Sequence, residues 1–174
     1  MRTDSPTEWP RDRYIAHVPP CFDVYVWVHT EDRPGVLARF IDSYVDGHSP
    51  REPRFGAFVR TYVQEAPSPG DQEGLVDLRR QPPRDRGLTL YLGAKHHYEA
   101  IITITEEGDL VLGLGLDDPD NSPEVWKRGA ALMASLRAEF NAHGGVAGVE
   151  LPPPQSALEW ADEAMVQVRQ GTSP

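Results

Sequence analysis

The sequence predicts an α+β fold, a single mainly antiparallel sheet with helices packed on one face. Three observations carry that expectation. Residues 22–29 alternate strictly between two kinds of side chain, the period of a strand. Residues 98–116 read as two strands around a tight turn. Two amphipathic helical stripes, over about 34–46 and 123–142, follow the first strand and precede the last one.

The elements follow in order. Residues 1–20 are polar, charged and proline-punctuated, and predict a loosely ordered arm in which Trp9, Tyr14 and Ile15 could anchor to the body. In the first strand Phe22, Val24, Val26 and Val28 share one face, and Asp23, Tyr25, Trp27 and His29 share the other. The second set is amphipathic, which predicts a partly covered face. Thr30 to Gly35 then opens a helix, with Pro34 in the first turn, where a missing N–H costs nothing. Val36, Leu37, Phe40, Ile41, Tyr44 and Val45 form its apolar stripe, and Gly47 ends it.

Residues 46–87 predict an irregular excursion with the highest mobility in the body. Within it, residues 54–63 suit a short strand or helix, with Phe55, Phe58, Tyr62 and Val63 partly buried. Pro67-Ser68-Pro69-Gly70 and Gln81-Pro82-Pro83 bound a charged loop.

Residues 88–92 form a short strand, and 98–105 and 110–116 form a hairpin around Glu106-Glu107-Gly108-Asp109, where Gly supplies a positive φ. Gly113 and Gly115 share a face, and that bare strip invites close approach by a helix or another backbone. Ser122 is the N-cap of the long helix and Pro123 its first residue, with Glu124 favoured by the dipole. The helix stripe is Val125, Trp126, Gly129, Leu132, Met133, Leu136 and Phe140. Residues 146–151 are a last short strand. Pro152-Pro153-Pro154 is a stiff spacer, and Ser156-x-x-Glu159 is a capping box. Trp160, Ala161, Ala164, Met165 and Val168 predict a final short helix, and 170–174 a disordered tail. The expected domain is therefore residues 21–169. Its element order suits an α+β sandwich of ferredoxin-like flavour.

Composition bounds the function classes. The chain has 17 Pro and 15 Gly, which argues for extended loops rather than long helices. No stretch approaches a membrane span, and MRTDSPTEWPRDR has no apolar core of a secretory signal, so a soluble cytoplasmic protein is expected. The single cysteine, Cys21, excludes an intrachain disulfide. The formal charge is −10, and it is uneven: residues 1–98 carry a net −1 and residues 99–174 a net −9. Such a field repels nucleic acid and attracts a basic protein or a cation, although it also serves solubility. The basic residues are 15 Arg and only 2 Lys, the usage of a GC-rich bacterial genome.

Signatures of chemistry are sparse. The histidines, at 17, 29, 48, 96, 97 and 143, form no zinc motif. His96 and His97 are adjacent and read as a strand-edge pair. Asp117, Asp118, Asp120 and Asn121 cluster like hard-cation ligands, but they lack calcium-loop spacing and suit a loop leading into a helix. There is no G-x-S-x-G and no phosphate-binding glycine loop, and Cys21 reads as a small filler. Glu106-Glu107 sits on a solvated turn, without the burial that would make a catalytic pair. The expectation is no catalytic residue, no metal and no cofactor.

Two stretches carry resemblances. FDVYVWVHTEDRPGVLARFID resembles the opening of ACT domains, through Asp32, Arg33, Pro34, Gly35, Val36 and Leu37. That resemblance implies an amino-acid sensor whose ligand carboxylate would meet helix N-terminal amides, with His29, Asp32 and Gly35 as its site. Residues 22–26, 40–45, 98–116, 131–136 and 148–154 together look like small bacterial immunity-type proteins that neutralise secreted polymorphic toxins. The leading expectation is thus a non-catalytic acidic protein-binding module of immunity type, with a basic partner such as a toxin domain. Its expected contact surface is Glu106, Glu107 and Asp109 on the hairpin turn and Asp117, Asp118 and Asp120 before the long helix, at opposite ends of one strand. ACT-like sensing is the alternative. A third reading, an enzyme, would require Trp27, His29 or His97 to converge with a carboxylate in a pocket.

Overall fold

The computed structural model describes residues 20–79, 87–118, 120 and 122–174. Residues 1–19 of the N-terminal arm predicted over 1–20, and the Gln81-Pro82-Pro83 turn, lie outside the described residues. The chain runs β1 (Cys21–Val28), α1 (Arg33–Tyr44), α2 (Phe55–Phe58), a π-helical turn (Val59–Val63) and α3 (Asp71–Val76). Then come β2 (Leu88–Leu92), β3 (Glu99–Ile104), β4 (Leu110–Asp117), α4 (Pro123–Phe140), β5 (Gly144–Val149), α5 (Ala157–Trp160) and β6 (Val168–Gly171).

The six strands make one sheet in the order β2-β3-β4-β1-β5-β6, with every neighbouring pair antiparallel. The α+β expectation is met. The inner order β3-β4-β1-β5 has the expected ferredoxin-like flavour, but the first helical crossover passes β4 and β3 to reach the edge strand β2, from which the chain returns through the meander β2-β3-β4; the second, from β4 to β5, skips only β1. β2 and β6 extend this core at its two edges.

The first face holds Phe22, Val24, Val26 and Val28 of β1 beneath Val36, Leu37 and Phe40 of α1 and Val125, Met133, Leu136 and Phe140 of α4. Both helices start as their sequences dictate. Asp32 Oδ1 accepts from Gly35 N at 3.0 Å, and Ser122 Oγ accepts from Val125 N at 3.4 Å. Gly129 lets α4 settle onto the sheet, because a Cβ there would stand 2.4 Å from the Phe22 ring.

Three expectations are corrected. The excursion after α1 is largely helical over 55–76, and it puts Phe58 and Leu75 into the first-face core. The final helix predicted over 160–168 is a single turn, α5. It ends at Trp160, whose indole packs edge-on against Trp27 with ring centroids 5.4 Å apart. The chain then returns as β6, so Gln170 and Gly171 pair with β5 rather than forming a tail, and Thr172 N donates to His143 O.

The second face is covered by the strap 150–166 rather than by a long helix. Leu151 and Trp160 of the strap pack there with Tyr25, Trp27, Ile101, Val111 and Val146 of the sheet. A polar ladder joins strap to sheet: Gln155 Nε2 donates to Thr89 Oγ1 at 2.9 Å, and the Thr89 and Thr103 hydroxyls bond at 2.8 Å. The strap stops short of one end of this face, and there the sheet opens into a cleft.

Candidate functional site

The register builds the cleft. Across the second face, Gly148, Asp23, Gly115 and Glu99 stand in one row on β5, β1, β4 and β3. Glycine on both sides of Asp23 leaves its carboxyl without side-chain neighbours in the row. Asp23 Oδ1 and Glu99 Cγ each lie 3.3 Å from the point a Gly115 Cβ would occupy, so the missing side chain is the space that both acids enter. The next row places Tyr25 over Gly113, whose Cβ would meet that ring at 2.4 Å. The close approach foreseen at the two glycines is therefore made by side chains of β1 and β3, not by a helix.

The cleft holds about 380 Å³ and is lined by Cys21, Asp23, Tyr25, Tyr91, Tyr98, Glu99, Glu150, Leu151 and Pro152. Glu150 forms its rim. Its Oε1 accepts from Cys21 N at 2.9 Å, and its own N–H donates to Cys21 O. Its φ of 51° is left-handed, a conformation rarely held by a glutamate. Tyr25 Oη donates to Leu151 O at 2.7 Å and fixes the floor. Beyond Leu151 and Pro152 lies an apolar groove of about 310 Å³ that includes Trp160 and Met165.

Among the described residues, no ion pair engages the cleft's carboxylates. Asp23 is 6% exposed, and its Oδ1 has no hydrogen-bond partner. Burial first, then the Glu99 and Glu150 carboxylates, push its carboxyl up to about 7, against a backbone hydrogen bond from Leu151. Burial also raises Glu99, with Glu150 adding to it and Arg51 opposing. The Cys21 thiol is pushed up to about 12 by burial and by Asp23, Glu99, Glu150 and Asp117, so it is not a thiolate nucleophile at neutral pH.

The six acids expected to form a partner surface take different parts. Glu106, Glu107, Asp117 and Asp120 are exposed. Asp117 lies opposite Cys21 and joins the acidic end of the sheet. Glu107 is engaged in the fold, since its Oε1 accepts from Ala157 N at 2.8 Å. Asp118 is buried: its Oδ1 accepts from Ser122 N, while Oδ2 has no partner. Asp109 accepts from Trp27 Nε1 at 2.9 Å and lies 2.7 Å from His29 Nδ1. Trp27 and His29 thus converge on a carboxylate, but at an exposed corner and not in the cleft, for the His29 side chain is 70% exposed. His97 is elsewhere, in the β2–β3 connection rather than on a strand edge, with its ring against Tyr44.

The three residues of the sensor alternative also fall together. His29 stands beside the hairpin, and Asp32 caps α1 at Gly35. The Gly35 amide is therefore already taken by the chain's own carboxylate, and Val36 N is bonded to Asp32 O.

Sequence reading missed Asp23, Glu99 and Glu150 as a site. One signal was present: an aspartate in a strand face otherwise made of Tyr, Trp and His. Comparison of the chain with protein-family models, curated proteins and solved structures returns no match.

Proposed function

We propose that this chain is a non-catalytic binding module for a basic protein, engaged through the acidic end of the second face. One observation supports this above the others. Asp23, Glu99, Asp117 and Glu150 gather there, and among the described residues none of them takes part in an ion pair. Like charges held together are a standing cost, and a cationic partner removes that cost while speeding its own docking. Neutralisation of a toxin domain, which the immunity-type resemblance implies, is the form of this reading we adopt. Amino-acid sensing is the weaker reading, because the amide it needs at Gly35 is occupied by Asp32.

The immobilised chain should retain a basic protein from source-cell lysate at low salt and release it at high salt. Asp117→Lys, an exposed change at the end of β4, should weaken that retention. Retention of nothing at either salt, or equal retention by Asp117→Lys, overturns the proposal.

A further inference from the structure

The cleft limits what its occupant can be. It presents a buried acceptor, Asp23 Oδ1, that lacks a partner, and two further carboxylates on different strands or turns. Among the described residues, no group of three His, Cys, Asp or Glu is placed to hold a metal ion. The acids are thus too spread for one small cation to bind them together. An ammonium is a compact point charge with the same limitation. A guanidinium is planar, offers five donors in a fixed fork and stacks on aromatic faces. Tyr91 and Tyr98 are aromatic residues of the cleft lining.

We propose that the cleft receives one guanidinium group, the end of an arginine side chain presented by the basic partner, set among Asp23, Glu99 and Glu150. The inference rests on the binding-module reading and names the group that the partner inserts. Binding carries a proton signature. Near pH 6 the Asp23 carboxyl is largely protonated, and a guanidinium displaces that proton. The titratable and charged groups around Asp23 are Cys21 and Tyr25 on β1, Tyr91 on β2, Tyr98 and Glu99 at the start of β3, Asp117 on β4 and Glu150 after β5. Arg51 acts on Glu99 but forms no described ion pair with it. Asp23, raised to about 7, favours tighter cation binding as pH rises from 6 to 8.

The test is calorimetric titration of the chain with N-acetyl-argininamide, its lysine analogue and its uncharged citrulline analogue, at pH 6 and pH 8 and in two buffers of different ionisation enthalpy. The arginine probe should bind, more tightly at pH 8, with proton release at pH 6 and about tenfold more weakly to Glu99→Gln. The lysine probe should bind more weakly, and the citrulline probe should not bind. Glu99 is half-buried at the start of its strand, so Glu99→Gln should keep the fold, which its thermal transition would verify. Asp23→Asn should remove the proton release. Absence of arginine-probe binding, equal binding of citrulline, or binding unchanged by Glu99→Gln overturns the inference. A partner captured by a chain that ignores the arginine probe would sink this inference and leave the binding module standing. Arginine-probe binding without any captured partner would uphold the cleft and sink the module.

Discussion

One strand feeds both faces of the sheet, and the two faces differ in kind. On the first, β1 offers Phe22, Val24, Val26 and Val28 to two helices, and the result is a continuous apolar core. On the second, the same strand offers Trp27 and Tyr25 to a strap with a single helical turn at one end and Asp23 to an open cleft at the other. The strictly apolar set serves stability. The graded set, from aromatic to acidic, gives up stability at Asp23 for a site that is charged, concave and walled by tyrosines.

Removal of the largest contacts tests the comparison most strongly. Phe22→Ala should cost about 3–5 kcal/mol, because it opens a cavity beneath Gly129 and Trp126. Trp160→Ala should cost a similar amount if the strap is as much a part of the fold as the helices are. Urea midpoints measure both, and a Trp160→Ala cost below about 1 kcal/mol would mean that the strap is only a loose cover. Gly113→Val should follow at about 1–3 kcal/mol or more, since its side chain must displace the Tyr25 ring.

A pH series sharpens the contrast. The Asp23 carboxyl ordinarily titrates at 3.8 and is raised to about 7 in the fold. The folded state therefore holds that proton more tightly than the unfolded state does. This contribution is fully present below about pH 4 and is lost as pH rises through about 7. Asp23→Asn should flatten that decline and be more stable than wild type at pH 8, on the order of 2 kcal/mol by thermal or urea unfolding. A decline that survives unchanged in the variant would assign it to another group. Smaller still, Ser122→Ala should cost about 1 kcal/mol through the cap of α4. Ser156→Ala, at the cap of a single turn, should cost less, and comparison of the two melting temperatures shows the difference.

The first face was legible in the sequence because its signals are local. Period two at 22–29 and the stripes beginning at Val36 and Val125 need no knowledge of which strand lies beside which. The capping box at Ser156 was legible too, and Ser156 Oγ does accept from Glu159 N. The length of the helix it begins was not, because the residues after Trp160 lead into β6, whose pairing with β5 is not visible in the local pattern. The cleft was illegible for a related reason. Asp23 and Glu99 are far apart in the chain, and they meet only because β4 runs between their strands with glycine at the shared row. The acid-rich loops that attracted attention instead are adjacent in sequence, yet Asp109 and Asp118 are spent on the fold itself.

The central place of β1 has a consequence for how the protein is made. This strand is made well before either of its partners: Val28 waits for Leu110, and Phe22 waits for Val149. Until then CFDVYVWV is an unpaired, β-prone segment with a single charge, the kind of stretch that self-associates when exposed. Closing contacts so distant along the chain is slow, on the order of milliseconds to seconds. Yield in the cell should therefore depend on chaperones that shield this strand during synthesis, and refolding should be cleanest in dilute solution.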